Sequence, residues 1–340
     1  MKIKKALQRF TQRSEFYLFI SFVVICILIQ VVSGGLLFGP VNMINITRAM
    51  IILGMFALLN VMVVISGGFD LSFPAIAALA YAATVDILLR FDLGSFGAGT
   101  VWIAFLIAGG IGLILGMVNG FIISRFKLNT MIVTLGTQTL FLGISLGIFQ
   151  FPEVTSVLPR PLVDFGEMYI FSVTNAAGLR AALPIAIVPF VLLALLVWFI
   201  LNRTMFGRSL YAIGGNEVSA ERAGINVVKT KFLLYCFVGL MAGMIGMLRV
   251  TMIRQSIPMG LIGWDLMVIP AVILGGASIY GGAGSVFGTL TAVALVTVVT
   301  NSLLLVGIST SWQDFVYGLV ILAGVTASAI QVRRRQKGRL

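Results

Sequence analysis

Apolar runs of about 18 or more residues recur along this chain from Phe16 onward, each long enough for a helix to cross the hydrocarbon core of a bilayer. Composition agrees. Asp, Glu, Lys and Arg together make up 10% of the residues, against roughly 25% in a soluble domain. A soluble protein this apolar has too few polar groups to cover its surface. The expected fold class is therefore an all-α polytopic membrane protein. The first run, Phe16 to Val32, shows no small-residue cleavage site and is followed by further spans, so we expect a retained helix.

The spacing predicts about ten transmembrane helices, near 16–34, 46–66, 71–89, 100–123, 130–150, 182–201, 232–250, 265–278, 285–306 and 312–331. Lys and Arg cluster in "MKIKKALQRFTQR", around Arg125 and Lys127, between Arg203 and Lys231, and in "VRRRQKGRL". Basic clusters between apolar spans mark the cytoplasmic side. Both termini are then cytoplasmic, together with 67–70, 124–129 and 202–231. The longest external segment, 151–181, carries Glu153, Asp164 and Glu167 beside Arg160 and Arg180.

The formal net charge of +12 invites a nucleic-acid reading. It is set aside, because no basic face is interleaved with exposed aromatics. Cys26 and Cys236 both fall inside expected spans and are expected as free thiols. The chain contains no histidine, which excludes a His proton relay or a His-ligated metal. An intramembrane enzyme would also lack a clear acid–base pair.

Two stretches resemble each other: "FDLSFPAIAALA" from Phe69 and "WDLMVIPAVILGG" from Trp264. Each runs aromatic, Asp, Leu and then Pro-Ala into an apolar segment. Five expected spans separate them, so they enter the membrane from opposite sides, as an inverted 5+5 repeat with broken helices near the centre would require. Asp70 or Ser72 is placed to cap a helix start, with Pro74 in the first turn. Asp265 is placed similarly behind Trp264. Capping and packing are the leading reading for both aspartates, and an ionisable group on a transport path is the sharper one. Asn119, Thr134, Thr137, Gln138, Thr297, Thr300 and Asn301 also lie at membrane depth, where such residues commonly join helices by hydrogen bonds. Trp312, Gln313 and Asp314 open the last span on its external side.

Segment 202–231 is polar in an otherwise greasy chain. Within it "NEVSAERAG" reads as one short helix: Asn216 as N-cap, Glu217 at the positive dipole end, and Gly224 in the left-handed cap position. A helix this short is not stable alone in water. Packing must hold it, either on its own bundle or in the groove of a soluble partner.

Here the residues resemble a known family. "FGRSLYAIGGNEVSAERAGI" is similar to the cytoplasmic coupling segment of monosaccharide-type ABC transporter permeases, usually close to "FGRxxYAxGGNxxAAxxxGI". "SGGFDLS", "GMVNGFIISRFKL", "VTLGT", "ILGGASIYGGAGSVFGT" and "WQDFVYGLVIL" follow in the family's order, over about 45–331. The chain departs from the pattern at Phe73-Pro74, at Asn129-Thr130 and at Phe141-Leu142-Gly143. These positions border the presumed path and bear on the substrate more than on the machinery.

The resemblance implies a single permease domain over 1–340, comprising a basic segment 1–15, a coupling loop 202–231 and a basic tail 332–340. It implies a bacterial cytoplasmic-membrane location. It implies as partners a second permease subunit, two ATP-binding cassettes and an extracytoplasmic substrate-binding protein, with membrane lipid around the chain. Gly215, Asn216, Glu217, Ala220, Ala223 and Gly224 would couple to the cassettes. Asp70, Ser72, Asn119, Thr134, Gln138, Trp264, Asp265, Asn301, Trp312 and Gln313 are the candidates for the path or its helix breaks. No GxxxxGK[ST] phosphate loop is present. ATP and Mg are accordingly expected on the partner subunits, and no cofactor on this chain. The rival is an ion-coupled secondary transporter, whose coupling site would draw on Asp70, Asp86, Asp265 or Asp314.

Overall fold

The computed structural model describes residues 14–149, 158–175, 178–257, 259–303, 305, 307–313, 315–319, 322 and 326. The basic start of the chain, the stretch 150–157, Asp314, most of the last expected span and the tail 332–340 lie outside these residues.

Apolar helices form where the runs predict them. They are α1 (Ser14–Val32), α2 (Pro40–Ile65), α3 (Phe73–Arg90), α4 (Gly99–Phe126) and α5 (Thr130–Ile148). A short helix α6 (Arg160–Gly166) and a hairpin of β1 (Tyr169–Thr174) and β2 (Arg180–Pro184) come next. Then come α7 (Ile187–Arg203), α8 (Met205–Gly215), α9 (Glu217–Arg222), α10 (Val227–Ile253), α11 (Trp264–Leu274) and α12 (Val286–Ser302). Among the described residues, α2, α3, α4, α5 and α10 are long and apolar enough to cross a membrane, and α7 joins them if it is counted with α8 as one bent span. The apolar parts of α1 (Leu18–Val32), α11 and α12 are shorter. The ten spans expected from sequence thus resolve, over the described residues, into long crossings and short helices. The shortest, α11, has an irregular segment at each end.

The core is built around α2 and α3, whose residues from Ile51 to Ile65 and from Phe73 to Ala82 are almost all enclosed. Helices α4 and α10 pack along each other because their contact faces carry glycines. A Cβ on Gly116 would stand 2.9 Å from the Gly239 Cα, and one on Gly120 would stand 2.9 Å from the Phe232 carbonyl oxygen. Small residues let transmembrane backbones approach closely where no hydrophobic force between helices operates. Cys26 and Cys236 are free and buried.

Two local expectations change. The segment expected outside the membrane contains the β1–β2 hairpin, so the described residues are helical with one small two-stranded sheet. The polar segment 202–231 holds two helices instead of one. The chain bends by 70° between α7 and α8, at Thr204, whose Oγ1 caps the new helix by accepting from the Gly207 N–H at 3.1 Å.

Candidate functional site

The centre of the bundle is set by how α2 ends. Ile65 lies nine residues beyond Phe56, roughly 13 Å along the axis at 1.5 Å per residue. After the turn at Gly67 (φ +83°) the chain doubles back, and the first residue of α3 returns to the level of Phe56: the Phe73 and Phe56 rings are 4.9 Å apart. The first residue of α11 reaches the same ring, with Trp264 edge-on to Phe56 at 6.2 Å. From this meeting point the two helices diverge. On α3 the Tyr81 hydroxyl donates to the Ile257 carbonyl, in the loop before α11. At the far end of α11 the loop 275–285 returns to α2, the Gly282 N–H donating to the Ile65 carbonyl at 2.9 Å. Two helix N-termini, each the positive end of a dipole and each with an aspartate beside it, therefore face one level of the bundle.

The polar side chains gathered there include most of those singled out from sequence. Asp70 is fully buried, and its Oδ1 accepts from the Ser72 N–H at 2.7 Å and from the Ser72 hydroxyl at 2.6 Å. Asn119 of α4 donates to the same hydroxyl at 2.7 Å. Thr134 of α5 accepts from the Leu71 N–H at 3.1 Å and donates to the Phe69 carbonyl at 3.2 Å, while Thr130 accepts from the Phe69 N–H at 3.0 Å. One turn of α5 further on, Gln138 stands beside Asp265. The α5 threonines thus supply the hydrogen bonds that the extended segment 69–71 would otherwise lack inside lipid. Asp70 Oδ2, Asn119 Oδ1 and Asp265 Oδ1 have no hydrogen-bond partner among the described residues.

The capping expectation is corrected in detail. Ser72 occupies the N-cap position of α3 but makes no side-chain cap bond; its hydroxyl is committed to Asp70. Asp70 acts two residues earlier, closing a turn on Ser72. Asp265 lies inside the first turn of α11, not ahead of it.

The remaining path candidates stand elsewhere. Asn301 bonds the Thr297 carbonyl of its own helix at 3.0 Å, and Gln313 bonds the Thr300 carbonyl at 3.3 Å. Trp312 is exposed and stacks edge-on with Phe315 at 5.6 Å. Asp86, weighed for an ion site, is paired with Arg90 at 2.6 Å.

In the polar segment, Asn216 caps α9 by accepting from the Ser219 N–H at 2.8 Å. Gly224 follows with φ +85°, and the Ile225 N–H closes on the Ala220 carbonyl at 3.1 Å. Gly215, Asn216, Val218, Ser219, Glu221, Arg222, Ala223 and Gly224 are exposed. Ala220 is not: it is buried against Ile213 and Val227, so it holds α9 to its own chain. Glu217 and Glu221 also turn to their own chain, toward Lys231 at 2.6 Å and Lys127 at 3.8 Å.

Two features escaped sequence reasoning. A cavity of about 340 Å³ is lined by Asn45, Arg48, Ala49 and Ile52 of α2, by Arg249, Met252 and Ile253 of α10, and by Trp264. It opens at the end of the bundle where α2 begins and α10 ends. The second is a three-way backbone contact at the opposite end: a Cβ on Gly281 would lie 2.7 Å from both the Gly67 Cα and the Gly214 carbonyl oxygen. Gly214 lies in the last turn of α8, so the polar helices press directly on the turn that begins the break at Asp70. The Tyr211 hydroxyl secures α8 to the Gly284 carbonyl at 2.8 Å.

Long apolar crossings, two helices starting inside the bundle and a polar helix pair beneath them define a multi-pass membrane transport subunit. The chain belongs to the family described as branched-chain amino acid transport system / permease component, whose model matches residues 42–325. It is 32% identical over 307 residues to the ribose import permease protein RbsC of Bacillus subtilis (strain 168), covering 90% of each chain. It is 31% identical over 285 residues to the L-arabinose transport system permease protein AraH of Escherichia coli (strain K12), covering 84% of this chain and 81% of that one. With the fructose import permease protein FrcC of Rhizobium meliloti it shares 28% over 295 residues, 87% of this chain and 79% of that one. No solved structure matches. The family's description names amino acids and these relatives name sugars, so membership fixes the machinery before the cargo.

Proposed function

We propose that the chain is the membrane-spanning permease of an ATP-driven importer that carries a monosaccharide or similar small polyhydroxylated solute across the bacterial cytoplasmic membrane. The observation that carries this reading is the match along nine-tenths of both chains to a ribose import permease. The polar cluster is in keeping with it. Three acceptor oxygens without donors, on Asp70, Asn119 and Asp265, suit a solute rich in hydroxyl donors.

In this reading α8 and α9 face the cytoplasm and receive two ATP-binding cassettes, which hold the ATP and Mg. The exposed surface of α9, with Gly215, Asn216, Ala223 and Gly224 around Val218, is the contact, and Glu217 and Ala220 hold the helix in place. Cassette closure moves α8, and the Gly214–Gly67–Gly281 contact passes the displacement to the break before α3. Differential affinity of ATP for two cassette states supplies the bias. The opposite end, with its cavity, receives solute from an extracytoplasmic binding protein, and both termini are cytoplasmic. A second permease subunit, a copy or a paralogue, lies against the exposed face of α5. There Gly136, Gly143 and Gly147 have nothing within 4 Å of an added Cβ, unlike the glycines filled between α4 and α10.

The test is reconstitution of the chain with cassettes and binding protein in proteoliposomes. ATP-dependent uptake of a labelled pentose or hexose, and no ATP hydrolysis by the chain alone, is the expected result. Uptake by the chain alone driven by an ion gradient would overturn the reading in favour of a secondary transporter.

A further inference from the structure

The outer cavity holds an unbalanced charge. Arg48 and Arg249 both line it, and neither takes part in any ion pair among the described residues. Each guanidinium is instead held by a backbone carbonyl: Arg48 Nη2 donates to Met252 at 3.4 Å, and Arg249 Nη2 donates to Gly260 at 2.7 Å. The Arg249 guanidinium also lies 5.5 Å from the centre of the Trp264 ring. Its Nη1 is enclosed beneath Gly260 with no hydrogen-bond partner among the described residues. A carbonyl or an aromatic face orients a guanidinium but does not neutralise it, and a partly enclosed cation without a counter-ion is costly. Each guanidinium carries five N–H donors and no acceptor, so the two of them leave donors to spare. The Asn45 amide is the remaining polar group of the lining.

We propose that this cavity is an outer subsite for an anionic monosaccharide, one bearing a carboxylate or comparable oxyanion held by Arg48 and Arg249 with Trp264 as the apolar wall. The inference rests on the sugar-importer reading and narrows its cargo. The planar guanidinium fork matches the two oxygens of a carboxylate. The indole offers an apolar face to a sugar ring, and Asn45 can serve its hydroxyls. The volume, about 340 Å³, falls at the small end of ligand cavities. Trp264 links this subsite to the interior, since it also packs edge-on to Phe56 at the level where α3 and α11 begin. A solute resting here touches the first residue of one of the two broken helices.

The experiment compares D-ribose with D-ribonate, the same carbon skeleton with and without a carboxylate. Binding to the purified full chain in lipid nanodiscs is followed by saturation-transfer NMR, which detects weak complexes. We expect ribonate to bind at least about tenfold more tightly than ribose, a difference of about 1.4 kcal/mol, and the preference to shrink at high salt. Arg48→Gln and Arg249→Gln should each remove most of that preference. Among the described residues Arg48 is anchored through one long hydrogen bond, so its variant decides the matter if Arg249→Gln fails to fold. Equal affinity for the two solutes, or variants that keep the preference, overturns the anionic subsite while leaving the importer reading standing. Binding of neither solute overturns the subsite, and with cassette-driven uptake of neutral sugar also absent, the sugar class as well. Variants that lose docking of the binding protein but keep ribonate binding would assign the arginines to that protein's surface and also overturn the proposal.

Discussion

Phe73 and Trp264, the first residues of α3 and α11, pack on the same ring, that of Phe56, with centroid distances of 4.9 and 6.2 Å. Segments far apart in sequence thus start their helices at one level of the bundle and run away from each other. This places Asp70 and Asp265 at opposed helix ends and makes the break, more than any full crossing, the centre of the molecule. A two-fold axis in the membrane plane relating α2–α3 to α10–α11 would produce this arrangement, and an experimental structure lacking such a relation would refute the inverted repeat.

Asp70 acts through an acceptor oxygen, which makes its variants separable. Asp70→Asn retains an oxygen for the Ser72 N–H and should lower the melting temperature of the detergent-solubilised chain only slightly. Asp70→Leu leaves that N–H and the Ser72 O–H without the acceptor they share, a cost of about 1–3 kcal/mol for a buried donor. Equal loss of uptake in both variants, with both stably folded, would show that the charge itself is needed.

On α9 the structure separates support from contact. Ala220→Trp should destabilise the helix pair, because its Cβ is packed against Ile213 and Val227, and the loss should register in a thermal melt before any cassette is added. Val218 is 57% exposed. Val218→Asp should leave the melt unchanged and reduce co-purification of the cassettes severalfold. Unimpaired cassette binding by Val218→Asp would remove this face from the docking surface.

Gly224→Val tests the end of the same helix. At φ +85° a β-branched side chain is strained by about 1–2 kcal/mol, so α9 should fray and cassette-dependent uptake should fall. Gly224→Asn, which tolerates the left-handed region better, should recover part of it. Identical behaviour of the two variants would argue against a backbone cause.

The proposed topology places α9 and the short helical turn 93–96 on opposite sides of the membrane. Ser219 and Ser95 are both exposed, and the native cysteines are buried. Ser95→Cys should therefore react with an impermeant thiol reagent in intact cells, and Ser219→Cys only after the membrane is opened. Labelling of both from outside would invert or discard the arrangement.

The two helix starts, at Phe73 and Trp264, were legible because "FDLSFPA" and "WDLMVIPA" carry the same signals for starting a helix after a break. Their meeting on Phe56 was not, since nothing marks one phenylalanine in an apolar helix as the shared floor. The caps at Asn216 and Gly224 were readable because capping is local chemistry. The burial of Ala220 was hidden, since it depends on how α8 and α10 close around it. The hairpin did leave a trace: "YIFSVT" is rich in β-formers and Gly178 marks its turn, but the run was passed over as an external loop. Arg48 and Arg249 stayed silent for a different reason. Each alone looks like a cation near the end of a span, and only the packing of α2 beside α10 places them around one cavity.

The contact among Gly67, Gly214 and Gly281 has a mechanical consequence. Three bare backbones meet there, and none presents a side chain that could lodge between side chains of another. Pushed together, such surfaces are nearly incompressible, because close-packed atoms leave no slack. Pushed sideways, they have nothing to catch on. The junction should therefore transmit thrust along one direction and slip freely in the others, as a thrust bearing does. A methyl group added to any one of the three would change a sliding contact into a latch.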